Sequence, residues 1–238
     1  MSNGIGPHRK GIYTRCIKRV LDVLFSGLAL IVLSPVLLAV AILVRIKLGS
    51  PVIFCQKRPG KNEKIFKMYK FRSMSNARDV NGNLLPDEAR LTVFGRKLRS
   101  TSLDELPELW NIFKGDMSIV GPRPQLVRDM VFMTPEQRKR HTVLPGLTGW
   151  AQINGRNSME WEDKLRYDLE YLERISFLFD MKIIICTAFK VMRKEDISYT
   201  GMATAEDYGD YLLRTGLVGE DQYRRKQGEA QDLMASAR

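Results

Sequence analysis

One apolar run dominates the pattern of apolar and polar positions: residues 21–44, which carry no charge from Val23 to Val44. A straight helix of that length would just cross the roughly 30 Å hydrocarbon core of a bilayer. Ser34-Pro35 lies in the middle of the run, and a proline inside a helix removes a backbone donor and clashes with the carbonyl four residues earlier. The pattern therefore predicts a membrane-contacting helix that is broken at Ser34-Pro35.

Basic residues flank this run on both sides. They are Arg9, Lys10, Arg15, Lys18 and Arg19 before it, and Arg45, Lys47, Lys57 and Arg58 after it. Because basic residues mark the cytoplasmic side, a re-entrant helix that bends and returns by the same face satisfies both flanks. Each arm of about 13 residues would reach about 20 Å, enough to dip in but not through.

Other interpretations of the run remain open from the residues alone. A single-pass anchor with a tolerated proline is the main alternative, since proline is commoner in membrane helices than in soluble ones. A cleaved signal peptide fits less well because the run is too long and no small-residue cleavage site follows it. A buried core helix also fits less well, since such helices seldom run this far without a polar face.

The remaining pattern predicts a mainly α fold with one small β-hairpin. Strands are expected at 52–56 and 64–71, and helices at 90–100, from Ser102, from Thr134, at 158–174 and at 175–192. The helix from Ser102 would bury Leu106, Leu109, Trp110 and Phe113, and the helix at 158–174 would place Trp161, Leu165, Leu169 and Leu172 on one side. The helix at 175–192 is either a core helix or one lying in the membrane interface. Residues 76–89 and 145–157 are predicted as loops, and residues 220–238 as frayed or disordered.

Three segments follow from this organisation. Residues 1–48 form a basic lead-in and re-entrant membrane helix, 49–200 a compact cytoplasmic catalytic domain, and 201–238 a polar C-terminal extension. The chain has 38 Lys and Arg against 27 Asp and Glu, a net charge of +11 that suits anionic lipid headgroups or nucleotide phosphates. Zinc-finger spacing and RNA-binding aromatic signatures are missing from the sequence, so nucleic acid is not expected as a partner. The three widely spaced cysteines are typical of reduced cytosolic thiols.

Asp104-Glu105 is the pair of residues best suited to chemistry. One explanation is purely structural: acidic residues are favoured at helix starts, and Ser102 and Glu105 have capping-box spacing. The other is catalytic, because a carboxylate can attack phosphorus when Mg²⁺ and arginines neutralise the developing charge. Arg99 and the turns around Arg123 and Arg156 supply guanidinium groups suited to phosphate oxygens.

The sequence resembles a known family through several ordered motifs. They are KRVLD (18–22), Ser34-Pro35, GSPVIF-x-Q-x-R-x-G (49–60), F-x-MYKFRSM (66–74), RS-x-SLDELPEL (99–109), GDMSIVGPRP (115–124) and PGLTGWAQINGRN (145–157). This pattern is similar to that of the small monotopic polyprenyl-phosphate phosphoglycosyltransferases, bacterial sugar transferases of the PglC-like short form. The resemblance runs from about residue 15 to 195.

The resemblance implies a function and a set of site residues. Asp104 would attack the β-phosphate of a UDP-sugar, expected to be N-acetylated, releasing UMP and forming an aspartyl-phosphosugar. Undecaprenyl phosphate would then take the phosphosugar, giving undecaprenyl-diphospho-sugar, the first membrane step of glycan assembly. Glu105 would coordinate Mg²⁺; Arg99, Arg123, Arg156 and Lys70 would bind phosphate, and Asp180 is a lesser candidate. The protein would lie on the cytoplasmic face of a bacterial inner membrane with both termini in the cytoplasm.

Two other classes compete with this assignment. A non-enzymatic membrane scaffold would use the positive charge alone. A soluble aspartyl-phosphate hydrolase would need an Asp-x-Asp-x-Thr signature, which the sequence lacks.

Overall fold

In the part of the chain that the structure describes, helices make up most of the fold and two small two-stranded sheets accompany them. The computed structural model describes residues 11–155, 159–193 and 206–237. The helices are α1 (Lys18–Val32), α2 (Ser34–Leu48), α3 (Asp87–Arg90), α4 (Val93–Ser100), α5 (Glu108–Lys114), α6 (Val127–Met130), α7 (Pro135–Arg138), α8 (Trp150–Gly155), α9 (Trp161–Arg174), α10 (Phe177–Arg193), α11 (Tyr208–Arg214) and α12 (Glu220–Ser236). The strands are β1 (Ile53–Pro59), β2 (Ile65–Phe71), β3 (Ser118–Val120) and β4 (Gly146–Thr148). The mainly α class with a small antiparallel hairpin is thus confirmed.

The long apolar run forms two helices that meet at a sharp bend. Their axes differ by 63°. Leu33, with φ −88° and ψ 3°, is the break itself. Pro35 lies in the first turn of α2, where its missing N–H costs no helical hydrogen bond, and the Ser34 hydroxyl donates to Ile31 O at 2.8 Å. Each arm has 15 residues, slightly more than expected.

None of the described helices is by itself long and apolar enough to span a bilayer. Among the described helices, one pair reaches that length and hydropathy when its members are taken together: α1, with the turn before it, and α2.

Helices α1 and α2, which we name the bent pair, pack one face against the rest of the protein and leave another face exposed. Val40 and Val44 are buried against Phe71 and Leu98. On the opposite side large apolar side chains stay exposed, among them Leu24, Phe25, Leu28, Ile31, Leu38 and Ile42. The two helices are therefore packed on the domain along one face only.

The polar residues at the start of α1 contact the domain. Lys18 pairs with Asp180 at 2.6 Å. Arg19 donates to the carbonyls of Ile112 (2.6 Å) and Phe113 (2.8 Å) at the end of α5. The buried Asp22 accepts the N–H of Ile119 in β3 at 2.9 Å. The KRVLD motif thus ties the bent pair to three separate elements.

The hairpin β1–β2 joins the bent pair to the domain core. Ile53 pairs with Phe71 at one end of the register and Pro59 with Ile65 at the other. Just after β2, Arg72 donates to Ser50 O at 2.8 Å and to Leu48 O, the last residue of α2. The side chain of Arg72, just after β2, therefore holds the C-terminal end of α2.

Residues 145–155 of the glycine-rich segment do not form the predicted loop, and residues 156 and 157 lie outside the described residues. It contains β4, which lies parallel to β3, and α8 follows directly. A Cβ on Gly146 would lie 2.1 Å from Gly121 N, so the two backbones approach too closely for any side chain there. Glycines required for close packing gave the segment a loop-like composition.

The predicted fraying of the C-terminal segment is also wrong for residues 220–237. Helix α12 buries Ala230 against Val127, Met130 and Val131, and Leu233 and Met234 pack on the same cluster. Lys57 Nζ donates to Met234 O (2.6 Å) and Ala237 O (2.8 Å), which satisfies carbonyls at the end of the helix. A few apolar positions in a polar helix suffice to dock it.

The buried face of α9 differs from expectation, and the exposure of α10 argues against one of the two alternatives left open for it. The buried face of α9 is Trp161, Leu165, Asp168 and Tyr171, without Leu169 and Leu172. In α10 only Phe179, Asp180 and Ile183 are buried, while Leu178, Ile185, Phe189 and Met192 are exposed. Helix α10 is therefore not an enclosed core helix.

The close approach at Gly146 generates a prediction. Gly146→Ala places a methyl group inside the β3–β4 contact, so we expect a loss of about 1–3 kcal/mol in unfolding free energy, typical of overpacking. Thermal unfolding in detergent measures it. Gly228→Ala in α12 is the matched control, since a Cβ there meets no atom within 4 Å. Equal melting temperatures for Gly146→Ala and wild type would contradict the packing argument.

Candidate active site

Asp104 and Glu105 lie in a single 3-10 turn, Leu103–Glu105, and not at the start of a long helix. Ser102 precedes the turn in the left-handed conformation (φ 54°) and forms no side-chain cap. The next helix, α5, begins at Glu108, immediately after Pro107. The predicted capping box is therefore wrong, and capping does not explain the two acidic residues.

Leu106, which follows the turn, packs on two apolar clusters that also involve the bent pair. The first is built on Phe66, Leu109 and Ile112 and is also contacted by Ala29, Leu30 and Leu33; the second includes Val40 and Val44 of α2 together with Phe71 and Leu98. Trp110 and Phe113, predicted to be buried, are 49% and 39% exposed and stack on each other with ring centroids 5.7 Å apart. The turn that carries the acidic residues is thus connected to the bent pair through shared apolar clusters.

Glu105 is the centre of an ion-pair network. Its Oε1 lies 2.8 Å from Lys70 Nζ and 2.6 Å from Arg123 Nη2. Lys70 Nζ is also 3.1 Å from Oε1 of Glu108. Lys70 comes from the end of β2 and Arg123 from the turn after β3, so three distant segments meet at one carboxylate.

Glu108 is a member of the site that the sequence analysis did not single out. It is fully buried, whereas an acidic residue in the first turn of a helix is normally explained by the helix dipole. The available signal was its place in the DELPEL stretch, four residues after Asp104. We name Asp104, Glu105 and Glu108 the carboxylate cluster.

The three carboxylates have very different proton affinities. Burial raises the pKa of Asp104 to about 6, and the charge of Glu105 adds to the rise. Burial likewise raises the pKa of Glu108 to about 7. Burial also opposes ionisation of Glu105, but Arg123 and Lys70 outweigh it and hold the pKa of Glu105 well below its usual value. At neutral pH Glu105 is therefore ionised, whereas Asp104 and Glu108, with their higher pKa values, bind protons more readily.

The other predicted site residues are placed as follows. Arg99 donates from Nε to Ser73 Oγ at 2.9 Å, and its charge lowers the pKa of Asp104 against the effect of burial. Arg156 lies outside the described residues. Asp180 accepts from Tyr13 (2.6 Å), Lys18 (2.6 Å) and Tyr171 (2.9 Å), so these contacts join it to the start of the bent pair and not to the carboxylate cluster.

Mg²⁺ was expected at Glu105. Within residues 11–155, 159–193 and 206–237, no three His, Cys, Asp or Glu side chains are grouped so that they could hold a metal ion. Mg²⁺ in phosphate-transfer sites is commonly bound by one or two carboxylates together with substrate phosphates. Glu105 is an ionised oxygen ligand of that kind, so the residues fit an ion that binds with the substrate.

Comparison with known proteins places this fold and site in a class. The family described as bacterial sugar transferase matches residues 13–194, which include all the described residues of the site. The chain belongs to this family, and the family expected from the motifs is confirmed.

Individual relatives extend the comparison. The chain is 48% identical over 192 residues to "Uncharacterized sugar transferase EpsL" of Bacillus subtilis (strain 168), covering 81% of this chain and 95% of that protein. It is 41% identical over 186 residues to the UDP-glucose:undecaprenyl-phosphate glucose-1-phosphate transferase of Escherichia coli (strain K12), covering 74% and 40%. It is 36% identical over 179 residues to the UDP-N-acetylgalactosamine-undecaprenyl-phosphate N-acetylgalactosaminephosphotransferase of Aeromonas hydrophila, covering 72% and 42%. The match thus spans well under half the length of these last two proteins.

The raised pKa of Asp104 predicts how stability varies with pH. The folded state favours protonated Asp104, so this group stabilises the fold fully below its ordinary pKa of 3.8 and loses that contribution as pH rises through about 6. Asp104→Asn cannot ionise, so its melting temperature relative to wild type should increase between pH 4 and pH 8. The difference corresponds to at most about 2–3 kcal/mol. A relative melting temperature that stays constant over this range would contradict the assignment.

Proposed function

We propose that this protein transfers a phosphosugar from a UDP-sugar to undecaprenyl phosphate, releasing UMP and giving undecaprenyl-diphospho-sugar. The observation that carries the proposal is the carboxylate cluster: a buried, titratable Asp104 beside an ionised Glu105, surrounded by Lys70, Arg99 and Arg123. The names of the E. coli and A. hydrophila relatives support the same two substrates. A scaffold without enzymatic activity would not need such a cluster.

In the first step the Asp104 carboxylate attacks the β-phosphorus of the UDP-sugar. A bond forms between a carboxylate oxygen and phosphorus, and the bond from phosphorus to the bridging oxygen breaks, so that UMP leaves with the electron pair. Asp104 must be ionised for this attack, and a pKa of about 6 makes it an anion at neutral pH with a higher proton affinity than an ordinary aspartate. The product is an aspartyl-phosphosugar.

In the second step a phosphate oxygen of undecaprenyl phosphate attacks the same phosphorus. The new P–O bond forms as the bond to Asp104 breaks, and the carboxylate is regenerated. Each step forms one P–O bond and breaks one: UMP is the leaving group in the first step and the Asp104 carboxylate in the second, so no further reactant is required. Arg99 and Arg123, and Arg156 from the resemblance, would hold the phosphate oxygens through planar guanidinium groups.

Glu105 would hold Mg²⁺ together with the substrate diphosphate. The ion, when bound, would supply neutralisation of the negative charge on the transferring phosphates. Lys70 and Arg123 keep Glu105 ionised in the absence of substrate, which preserves an oxygen ligand of full charge. Lys70 is in turn fixed between Glu105 and Glu108.

We further propose that the bent pair is re-entrant and that the enzyme lies on the cytoplasmic face of the inner membrane. The 63° bend, the exposed apolar outer face and the basic residues on both flanks support this placement. One substrate is soluble and the other lies in lipid, so the attacking group has to be at the boundary between them. Leu106 packs on apolar clusters that also involve residues of both arms, which supports a position of the carboxylate cluster near that boundary.

The identity of the nucleophile is tested by comparing Asp104→Asn with Glu105→Gln. Asp104→Asn removes the attacking anion, so covalent capture of the phosphosugar and UMP release should both vanish. Glu105→Gln keeps the nucleophile and weakens metal binding, so part of the activity should return at high Mg²⁺. Mass spectrometry after brief exposure to UDP-sugar without acceptor should find the adduct on the peptide that holds Asp104, and undecaprenyl phosphate should remove it.

The donors for this assay are UDP-glucose and UDP-N-acetylated sugars, of which the resemblance favours the N-acetylated class. Chelation of Mg²⁺ is the control for metal dependence and should stop turnover without releasing the protein from membranes. An adduct on another peptide, or turnover by Asp104→Asn, would rule out Asp104 as the nucleophile.

The re-entrant topology makes a separate prediction. Tags placed at the two ends of the chain should both be accessible from the cytoplasmic side, since the bent pair enters and leaves by the same face. Protease accessibility in spheroplasts and in inverted vesicles measures this. The double change Ser34→Ala with Pro35→Leu should shift some molecules to a spanning form, because it permits a straight helix. An N-terminal tag in the periplasm of the wild type would instead establish the single-pass anchor.

A further inference from the structure

Arg140 is one of the most deeply buried side chains of the protein, with 2% of its surface exposed. It lies in the 3-10 turn Lys139–Thr142, away from the carboxylate cluster. Its guanidinium contacts Oδ2 of Asp168 in α9, from Nε at 2.9 Å and from Nη2 at 2.7 Å. Asp168 is equally buried. The pair is therefore a fully enclosed ion pair.

The same guanidinium also holds the backbone of a proposed phosphate-binding residue. Arg140 Nη2 donates to Arg123 O at 2.6 Å. The neighbouring carbonyls are held as well: Pro122 O accepts from Gly146 N at 3.0 Å, and Pro124 O from Arg58 Nη1 at 3.3 Å. Three consecutive carbonyls of the turn at 122–124 are thus fixed, one of them by a buried charge.

Stability alone is a weak reason to bury such a pair. Taking two charges out of water costs several kcal/mol per ion, and well-packed apolar residues of similar volume often serve the fold as well or better. What apolar residues could not do is donate a hydrogen bond to Arg123 O. The polar pair supplies a geometric constraint that an apolar replacement lacks.

That constraint acts on a residue with little freedom of its own. Arg123 stands between Pro122 and Pro124, and a residue before proline is restricted to extended conformations. Fixing its carbonyl therefore also fixes the direction in which its side chain leaves the backbone. That side chain reaches Glu105 with Nη2 at 2.6 Å.

We propose that the Arg140–Asp168 pair positions Arg123, and that through Arg123 it sets the geometry of the phosphate-binding side of the site. Arg140 and Asp168 are positioning residues: they touch the backbone of Arg123 and not the carboxylate cluster. The link to phosphate binding rests on the proposed function, whereas the effect on the backbone at 121–124 does not.

The test compares Arg140→Lys with Arg138→Lys. Lysine at 140 keeps the charge beside Asp168 but lacks the planar set of donors that serves Asp168 and Arg123 O together. Arg138 is the matched control, because it stands two residues earlier and makes two hydrogen bonds to Glu63 at 2.6 and 2.5 Å; within the described part of the chain, no hydrogen bond or ion pair links its side chain to the turn at 122–124. Arg140→Lys should lose between about ten-fold and a hundred-fold in kcat/KM for UMP release, as expected when a binding group is misplaced. Arg138→Lys should stay within about two-fold of wild type.

A double-mutant cycle separates positioning from general damage. If Arg140 acts through Arg123, Arg140→Lys should cost less than about two-fold in an Arg123→Ala background. A full additional loss in that background would overturn the proposal. Where Arg123→Ala turns over too slowly to measure, the exchange experiment below decides.

Hydrogen exchange provides a readout that needs no enzymatic activity. Arg140→Lys should speed exchange in the peptides that contain Gly121 and Gly146, whose N–H groups bond Thr148 O and Pro122 O in the native turn. Exchange elsewhere should match Arg138→Lys. Unchanged exchange in these peptides, or a uniform increase across the domain, would overturn the proposal. If the wild type released no UMP while this local effect were present, the proposed function would fail and the positioning of Arg123 would stand.

Discussion

The ionised carboxylate of Glu105 is the constraint on which the site depends. It lies where β2, the turn after β3 and the 3-10 turn at 103–105 meet, and Lys70 and Arg123 both contact its Oε1 atom. Removing either cation would leave a nearly enclosed negative charge with half of its compensation. The site therefore forms only when three elements are placed correctly relative to one another: the hairpin, the short parallel pair β3–β4 and the start of α5.

Neighbouring carboxyls acquire different chemistry from this arrangement. Glu105 contacts both Lys70 and Arg123, whereas at Asp104 and Glu108 burial and the negative charge of Glu105 outweigh the nearby cations, so their pKa values rise. Two adjacent acidic residues of the sequence thus become a group that stays charged and a group that exchanges its proton near neutrality. The difference comes from which cations each side chain can reach, and not from the residues themselves.

The sequence predicted the parts of the fold that depend on local pattern. The break at Ser34-Pro35, the hairpin and helix α4 all follow from backbone chemistry and periodicity. The site residues Asp104, Glu105, Lys70, Arg99 and Arg123 came from motifs, and the structure brings them together. What failed depended on distant contacts: the glycines of 145–157 served a strand pairing with β3, and α12 docked through a few apolar residues. Glu108 and Arg140 were missed because only tertiary burial distinguishes them from ordinary surface charges.

Helix α12 has a consequence for where the folded unit ends. It lies beyond residues 13–194, which the family covers, yet it shields Val127, Met130 and Val131 from water and is held by Lys57 in β1. Because the surface beneath it is apolar, removal of the helix would expose these side chains. A shortened chain would need polar substitutions in α6 before it could dispense with α12. The helix is therefore part of the packed unit, although the family region ends before it.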